Sequence, residues 1–215
     1  MTEYENLPFD VRPDLSPYIT HLTKNTREKD DYSAFDNLIS ILQKGEIWGS
    51  STKKSFIKGH NEAVCFMDIP LSSLKYVLDN KNASPRHPRY EPFGVIISKR
   101  LAFKKGCRPV LYLSNEETNN LRIPKGELWR VVRFEVVKDR WISWLHEREW
   151  RCKGNFKMPS NPIAVLVKDP YFAKKLTKKI ADDPKKFKVK PQSIIPLTVL
   201  CQGLPYLRKI NNLWR

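Results

Sequence analysis

The sequence between residues 146 and 151 reads HEREWR and carries side chains able to do acid–base or electrostatic chemistry. If this segment is a β-strand, its side chains alternate between two faces, and Glu147, Glu149 and Arg151 share one of them. Burying two carboxylates beside an arginine costs free energy unless the charged groups bind each other or a ligand. One could orient the other, or a substrate hydroxyl, while the arginine steadies the pair. A solvated, charged strand edge would produce the same pattern without any chemistry.

The second candidate is His21, in the alternating segment 18–23 (YITHLT). A histidine on a strand can bind a ribose hydroxyl or act as an acid or base near neutral pH. Thr20 and Thr23 could form hydrogen bonds beside it. The alternative is a structural histidine that caps a neighbouring loop, and the residues alone leave both interpretations open.

The sequence has none of the patterns that indicate a metal site. It contains no HxH or HExxH motif and no dense acidic group followed by a lysine, and its four cysteines are widely spaced. We therefore expect no metal. Neither a GxGxxG fingerprint nor a P-loop motif is present, so neither of these phosphate-binding loops is predicted.

The charge balance indicates a polyanionic partner. Lysine and arginine number 39 against 23 acidic residues, a formal net charge of +16. Such a field concentrates nucleic acid and speeds its encounter with a protein. Eight lysines lie between residues 171 and 190, and the predicted phosphate contacts among them are Lys174, Lys175, Lys178, Lys179, Lys185 and Lys186. The alternative is a solvated, charged face.

The ends and apolar runs of the chain predict a cytoplasmic protein. The first ten residues, MTEYENLPFD, have neither the basic nor the apolar region of a signal peptide. No apolar run in the sequence approaches the length needed to span a membrane.

The pattern of short segments predicts an α+β fold with a compact mixed or antiparallel sheet, because strands and helices do not alternate regularly. A helix is predicted over 36–44, with Asp36 as its N-cap and Gly45 after its end, and a second, lysine-rich helix over 170–180. The main predicted strands cover 18–22, 63–67, 93–98, 109–113, 128–137, 163–167 and 194–201. We divide the chain into an extended lead-in at 1–17, a core domain at 18–167, and the lysine-rich helix with a closing strand, packed on the core, at 168–215.

The order of several short segments resembles that of a known group of bacterial proteins. The segments are ITH at 19–21, NLISILQKG at 37–45, VCFMDIPL at 64–71, YEPFGV at 90–95, PVLY at 109–112 and EREWR at 147–151. This series resembles the AbiGi-type abortive-infection (phage-resistance) proteins. More distantly, it is similar to the DarT-type ADP-ribosyltransferases, which begin with a comparable strand and helix. The resemblance spans residues 18–167 and leaves out the lysine-rich segment.

The resemblance implies an ADP-ribosyltransferase-like fold and the use of NAD. It implies that His21, with Thr20 beside it, holds NAD and that Glu149 or Glu147 is the catalytic carboxylate. The middle position of the family motif, a tyrosine or serine, has its nearest counterparts in Ser50 and Ser51. A carboxylate suits this reaction, because cleavage of the nicotinamide–ribose bond passes through a state with growing positive charge.

Three functions follow as hypotheses. The first is an ADP-ribosyltransferase-like enzyme of anti-phage defence that acts on or with nucleic acid. The second is a non-catalytic module with the same fold that binds nucleic acid or a protein partner of a defence system, as in a toxin–antitoxin pair. The third is a nuclease, which ranks lower because no metal cluster is visible in the sequence.

Overall fold

The computed structural model describes residues 14–26, 32–50, 56–78 and 90–201. The strands in these ranges are β1 (Tyr18–Leu22), β2 (Glu46–Ile47), β3 (Ala63–Met67), β4 (Gly94–Ser98), β5 (Arg108–Pro109), β6 (Leu111–Leu113), β7 (Val131–Arg133), β8 (Glu135–Val137), β9 (Arg140–Ile142), β10 (Glu149–Lys153), β11 (Phe156–Lys157), β12 (Ala164–Val167) and β13 (Ser193–Pro196). The α-helices are α1 (Ala34–Lys44), α2 (Leu74–Val77), α3 (Lys99–Lys104), α4 (Asn115–Asn120), α5 (Pro170–Asp182) and α6 (Leu197–Leu200). Within the same ranges, 3-10 helices cover Leu71–Ser73, Lys125–Arg130 and Leu145–Glu147.

A seven-stranded sheet organises the chain. Its strand order is β13-β12-β4-β1-β3-β10-β5, and every neighbouring pair is antiparallel except β12 with β13. The prediction of a mixed or antiparallel sheet is confirmed, and the sheet is mostly antiparallel. Gly94 is needed at the centre, because a Cβ atom there would collide with the backbone carbonyl of His21 on the neighbouring strand.

Two apolar cores cover the two faces of this sheet. On one face, α1 and α5 pack their buried residues Leu38 and Leu176 against Phe66 and Val95 of the sheet. On the other face, α2 and α6 pack against Met67, Ile96 and Leu166. The strands at the centre are therefore apolar on both sides, which explains why their sequences read as continuous hydrophobic runs.

The helix α1 begins two residues earlier than predicted. Ser33, not Asp36, is its N-cap, and the Ser33 hydroxyl accepts a hydrogen bond from the Asp36 N–H. Asp36 sits in the first turn, where its negative charge suits the positive end of the helix. Gly45 ends the helix in the left-handed conformation, as expected.

The chain after residue 168 completes the same sheet. The helix α5 starts at Pro170, with Asp169 as its N-cap, and connects β12 to the parallel strand β13. The predicted closing strand over 194–201 ends early, because residues 197–200 form α6. Most of the predicted lead-in (residues 1–13) lies outside the described residues. The last part of the predicted C-terminal segment (residues 202–215) also lies outside them.

Two other predicted strands are divided. Residues 109–113 belong to β5 and β6, which lie in different sheets, with β6 pairing in parallel with β7. Residues 128–137 begin in a 3-10 helix and continue as β7 and β8. Within the described ranges, no helix is both long enough and apolar enough to cross a membrane.

Candidate functional site

The strand β10 carries a buried ion pair between Glu149 and Arg151. The Arg151 Nε atom lies 2.8 Å from Glu149 Oε1, and its Nη2 atom lies 3.2 Å from Oε2, so the contact is bidentate. The side chains are two residues apart on one strand face, as the alternation predicted. Glu149 is 7% exposed and Arg151 is 3% exposed.

The guanidinium of Arg151 also forms hydrogen bonds that link the segment 129–131 to β10. Its Nη1 group donates to the carbonyl oxygens of Trp129, at 2.8 Å, and Val131, at 3.3 Å. Burial is the largest single effect on the pKa of Arg151 and lowers it, but the charge and hydrogen bond of Glu149 and the contact with Cys65 together outweigh burial, and the net shift is upward. The pair is therefore a fixed charged unit in a poorly solvated place.

Cys65 lies opposite Arg151 on β3, within reach of the same charges. Burial raises the pKa of its thiol, and the Glu149 carboxylate raises it further. Cys65 is thus a neutral thiol beside the ion pair, not a nucleophilic thiolate.

Glu147 lies outside the strand. It is the last residue of the 3-10 helix Leu145–Glu147, and Arg148 follows in a left-handed conformation with φ of 44°. The turn means that the predicted strand alternation does not extend back to Glu147. The Glu147 side chain is nevertheless buried, 3% exposed, and accepts hydrogen bonds at 3.1 Å from the Tyr90 hydroxyl to both its oxygens. The exposed His146 brings its Nε2 atom to 3.8 Å from Glu147 Oε1.

Tyr112 fixes the backbone of Glu149. Its hydroxyl accepts the Glu149 N–H at 2.9 Å and donates to the Trp144 carbonyl at 3.4 Å. Burial, together with the charges of Glu149 and Glu147, raises the pKa of Tyr112 to about 12, so the phenol is neutral. The sequence assigned no site role to Tyr112, and it offered Tyr90 only as a residue that could stack on a base, not as a partner of Glu147.

His21 lies beside this site but on the other face of the sheet. Its Nδ1 atom is 2.8 Å from the Cys65 carbonyl oxygen, and its ring meets the edge of Phe66, with 5.8 Å between the centroids. A carbonyl only accepts, so Nδ1 carries the proton and Nε2 carries the lone pair. Burial lowers the pKa of His21, against the opposing effect of the Cys65 hydrogen bond. The imidazole is therefore neutral near neutral pH.

The strand register brings Thr20 to the face that holds Glu149. Thr20 of β1 and Glu149 of β10 both pair with Met67 of β3, and paired residues of antiparallel strands point to the same side. His21 consequently points to the opposite side. Thr20 is 1% exposed, and its hydroxyl is buried without a hydrogen-bond partner in the described part of the chain. An unsatisfied buried hydroxyl is unusual in a native fold and needs a reason.

The serines predicted for the middle position of the motif are not brought to Glu149. Ser50 is exposed and forms an isolated bridge with Ala63, at the far end of β3 from Met67. Met67 is four residue steps along the strand from Ala63, a distance of about 13 Å. Ser51 lies outside the described residues.

The six predicted phosphate-contacting lysines lie on the surface, on α5 and the segment that follows it. All six are exposed. Lys186 forms an ion pair of 2.7 Å with Asp183, and Lys175 lies over the ring of Phe35, 5.3 Å from its centroid. A groove of about 600 Å³ runs between α5 and β13 and includes Lys174 and Lys178 in its lining. No group of three or more potential metal ligands occurs within the described ranges.

The comparisons with known proteins give two solved structures. No family model matches the chain, and no curated protein matches it significantly. The chain is similar to DarT of Thermus sp. 2.9 in complex with NAD+, with 15% identity, a TM-score of 0.44, and coverage of 83% of this chain and 95% of that chain. The same protein in complex with carba-NAD+ aligns with 14% identity, a TM-score of 0.47, and coverage of 86% and 97%.

Proposed function

We propose that this protein is an ADP-ribosyltransferase-like enzyme of anti-phage defence that uses NAD and acts on or with nucleic acid. The observation that carries the proposal is the shared sheet face of Glu149, held by Arg151, and Thr20, whose buried hydroxyl has no partner in the described residues. The order of the sequence segments that resemble AbiGi-type and DarT-type proteins supports the same conclusion.

The groups on this face suit the ribose next to nicotinamide. A ribose offers hydroxyls, and the Thr20 hydroxyl and the Glu149 carboxylate are groups that bind them. When bound, NAD supplies an ADP-ribosyl group whose bond to nicotinamide can be broken. Glu149 stabilises positive charge that grows at the ribose, because Arg151 holds its carboxylate in one orientation. Glu147, bonded to Tyr90, is the second carboxylate available to orient an acceptor.

The proposed role of His21 changes with its position. His21 donates to the Cys65 carbonyl and so joins β1 to β3 at the level of the site. The side chain of His21 lies on the opposite side of the sheet from Glu149. We assign the ribose contact to Thr20 and assign to His21 the positioning of β1. Because Glu149 is 7% exposed, NAD reaches it only when the side chains that cover it move aside.

The nucleic-acid part of the proposal rests on charge. The net charge of +16 and the exposed lysines of α5 favour contact with phosphates. Such contacts weaken steeply as salt increases.

The direct test is release of nicotinamide from NAD by the purified protein, with and without DNA or RNA, at low and moderate salt. We expect Glu149→Gln to lower the rate by about a hundredfold or more, since it removes the charge but keeps the shape. Glu62→Gln, an exposed glutamate, is the matched control and should keep the full rate. Equal rates for the wild type and Glu149→Gln would end the catalytic proposal.

One observation favours a second function, a non-catalytic binding module. Glu149 and Arg151 satisfy each other, and Arg151 also bonds two carbonyls, so the pair has a structural reason to exist without NAD. A module of this kind would bind nucleic acid with strong salt dependence and ignore NAD. Binding that does not change with salt would exclude it.

A further inference from the structure

The strand β13 forms an edge of the main sheet, and some of its backbone N–H and C=O groups point away from its neighbour β12. Its neighbour on one side is β12, and no described strand lies on the other side. The N–H groups of Gln192 and Thr198 donate to the carbonyls of Pro162 and Lys168 on the β12 side, at 3.0 and 3.3 Å. In a parallel pair, alternate residues direct both N–H and C=O to the same side. Ser193 and Ile195 therefore point theirs away from β12.

A basic groove runs beside this edge. It has a volume of about 600 Å³ and lies between α5 and β13, with Lys174, Thr177 and Lys178 on one wall and Gln192 and Ser193 on the other. The described residues that line it include no carboxylate. Lys174 and Lys178 are one helical turn apart and so project side by side.

We propose that this groove binds an acidic, extended peptide segment of a protein partner, which adds as a further strand to β13. The partner's backbone pairs with Ser193 and Ile195, and its carboxylates lie against Lys174 and Lys178. Addition of a strand to an exposed edge supplies the backbone hydrogen bonds, and the lysines select an acidic sequence.

The backbone chemistry favours a peptide over nucleic acid at this place. The outward edge presents donors and acceptors in alternation, two N–H and two C=O groups. A peptide backbone offers the complementary acceptors and donors, whereas a phosphodiester backbone offers only acceptors and would leave both carbonyls unpaired. The bound segment is short, because Pro191, which precedes the outward-facing Ser193 in the same alternation, has no N–H, and the strand ends where α6 begins at Leu197.

The groove is distant from Glu149. Five strand spacings separate β13 from β10 in the sheet, which corresponds to roughly 24 Å. Binding of a peptide is therefore independent of the proposed NAD chemistry at Glu149, and either of these two can fail without the other. Nucleic acid, for which Lys174 and Lys178 are also proposed phosphate contacts, would instead compete with the peptide for these two lysines.

The test measures binding of a fluorescein-labelled peptide of five Glu-Thr repeats by anisotropy at low salt. Lys174→Glu/Lys178→Glu should weaken binding by about tenfold or more, because it places like charges across the interface. Lys175→Glu/Lys179→Glu changes the net charge equally on the same helix and should weaken it by less than about threefold. All four lysines are exposed, so both variants keep the fold.

A second peptide separates strand addition from charge attraction. It has the same sequence but carries N-methyl groups on alternate residues, which block backbone pairing, and it should bind about tenfold more weakly. The bound Glu-Thr peptide should also slow hydrogen exchange of the Ser193 and Ile195 amides. Equal binding of the two peptides, equal losses in the two lysine variants, or protection of these amides by an oligonucleotide instead of the peptide would overturn the proposal.

Discussion

Thr20 and Glu149 lie in one row across the main sheet, because both are register partners of Met67. Two strand spacings separate them, about 10 Å, and both side chains are buried on the same face. One residue of difference along β1 sends His21 to the opposite face. The row defines the face on which a ribose could be held between a hydroxyl and a carboxylate.

Thr20→Val should stabilise the protein and at the same time weaken NAD binding. The substitution keeps the shape and removes a buried hydroxyl that lacks a partner in the described chain, a gain of about 1 to 3 kcal/mol in the free energy of unfolding. Urea denaturation measures the first effect and calorimetric titration with NAD measures the second.

The control for that prediction is Thr23→Val. The Thr23 hydroxyl donates to the carbonyls of Ala34 and Phe93, at 2.8 and 3.2 Å, so its loss should destabilise the protein by about 1 kcal/mol. A Thr20→Val protein that loses stability as Thr23→Val does would show that Thr20 has a bonding partner after all.

Arg151→Met should destabilise the protein by about 3 to 5 kcal/mol, because Glu149 is then left as a buried charge without its counterion. The double variant Glu149→Met/Arg151→Met should be more stable than Arg151→Met alone, since it removes both charges. Denaturant unfolding of the three proteins gives the coupling between the residues. The partly exposed pair of Arg133 and Glu135 is the comparison, and Arg133→Met should cost less than about 1 kcal/mol.

Tyr112→Phe should cost about 1 to 3 kcal/mol and loosen the start of β10. The substitution removes the acceptor of the Glu149 N–H and leaves that donor unpaired. Hydrogen exchange at the Glu149 amide should become faster, and nicotinamide release should fall with it. Tyr76→Phe, at an exposed tyrosine, should change neither quantity.

His21→Asn should flatten the dependence of stability on pH below neutrality. Burial lowers the pKa of His21 from its ordinary value of 6.5, so the unfolded chain binds a proton that the folded chain does not. The stability that His21 contributes is therefore fully present above pH 6.5 and is lost as the pH falls through the lower folded pKa. An asparagine can still donate to the Cys65 carbonyl but does not titrate.

Unfolding free energies of the wild type and His21→Asn, measured between pH 7.5 and about 5, test this prediction. The two curves should converge on lowering the pH. His60→Asn, at an exposed histidine, serves as the control and should follow the wild type. Parallel curves for His21→Asn and the wild type would contradict the placement of a neutral, buried imidazole.

The sequence predicted most of the central strands because their residues are apolar on both faces. β1 and β3 have the predicted bounds, and the start of α5 follows from Pro170. Glu149 and Arg151 share a face because strand alternation depends only on local geometry. The same argument could not include Glu147, since the left-handed turn at Arg148 interrupts the strand and has no glycine to reveal it.

The relation between Thr20 and Glu149 could not be predicted. It depends on the register of β1 and β10 with β3, and register is decided by contacts between segments far apart in sequence. A shift of one residue in that pairing would have placed His21 beside Glu149 instead. The bond from Tyr112 to the Glu149 backbone is hidden from sequence for the same reason.

A ribosome completes β1 long before either of its partners in the sheet exists. β1 lies between β3 and β4, and β3 also pairs with β10. Among the described strands of this sheet, only β12 and β13 are adjacent in the sheet and consecutive in number along the chain. At roughly 5 to 20 residues per second, residues 18–22 wait several seconds for residues 94–98 to be made. During that time Ile19 and Leu22 have no sheet to cover them, so the growing chain needs protection from aggregation until most of it has been synthesised.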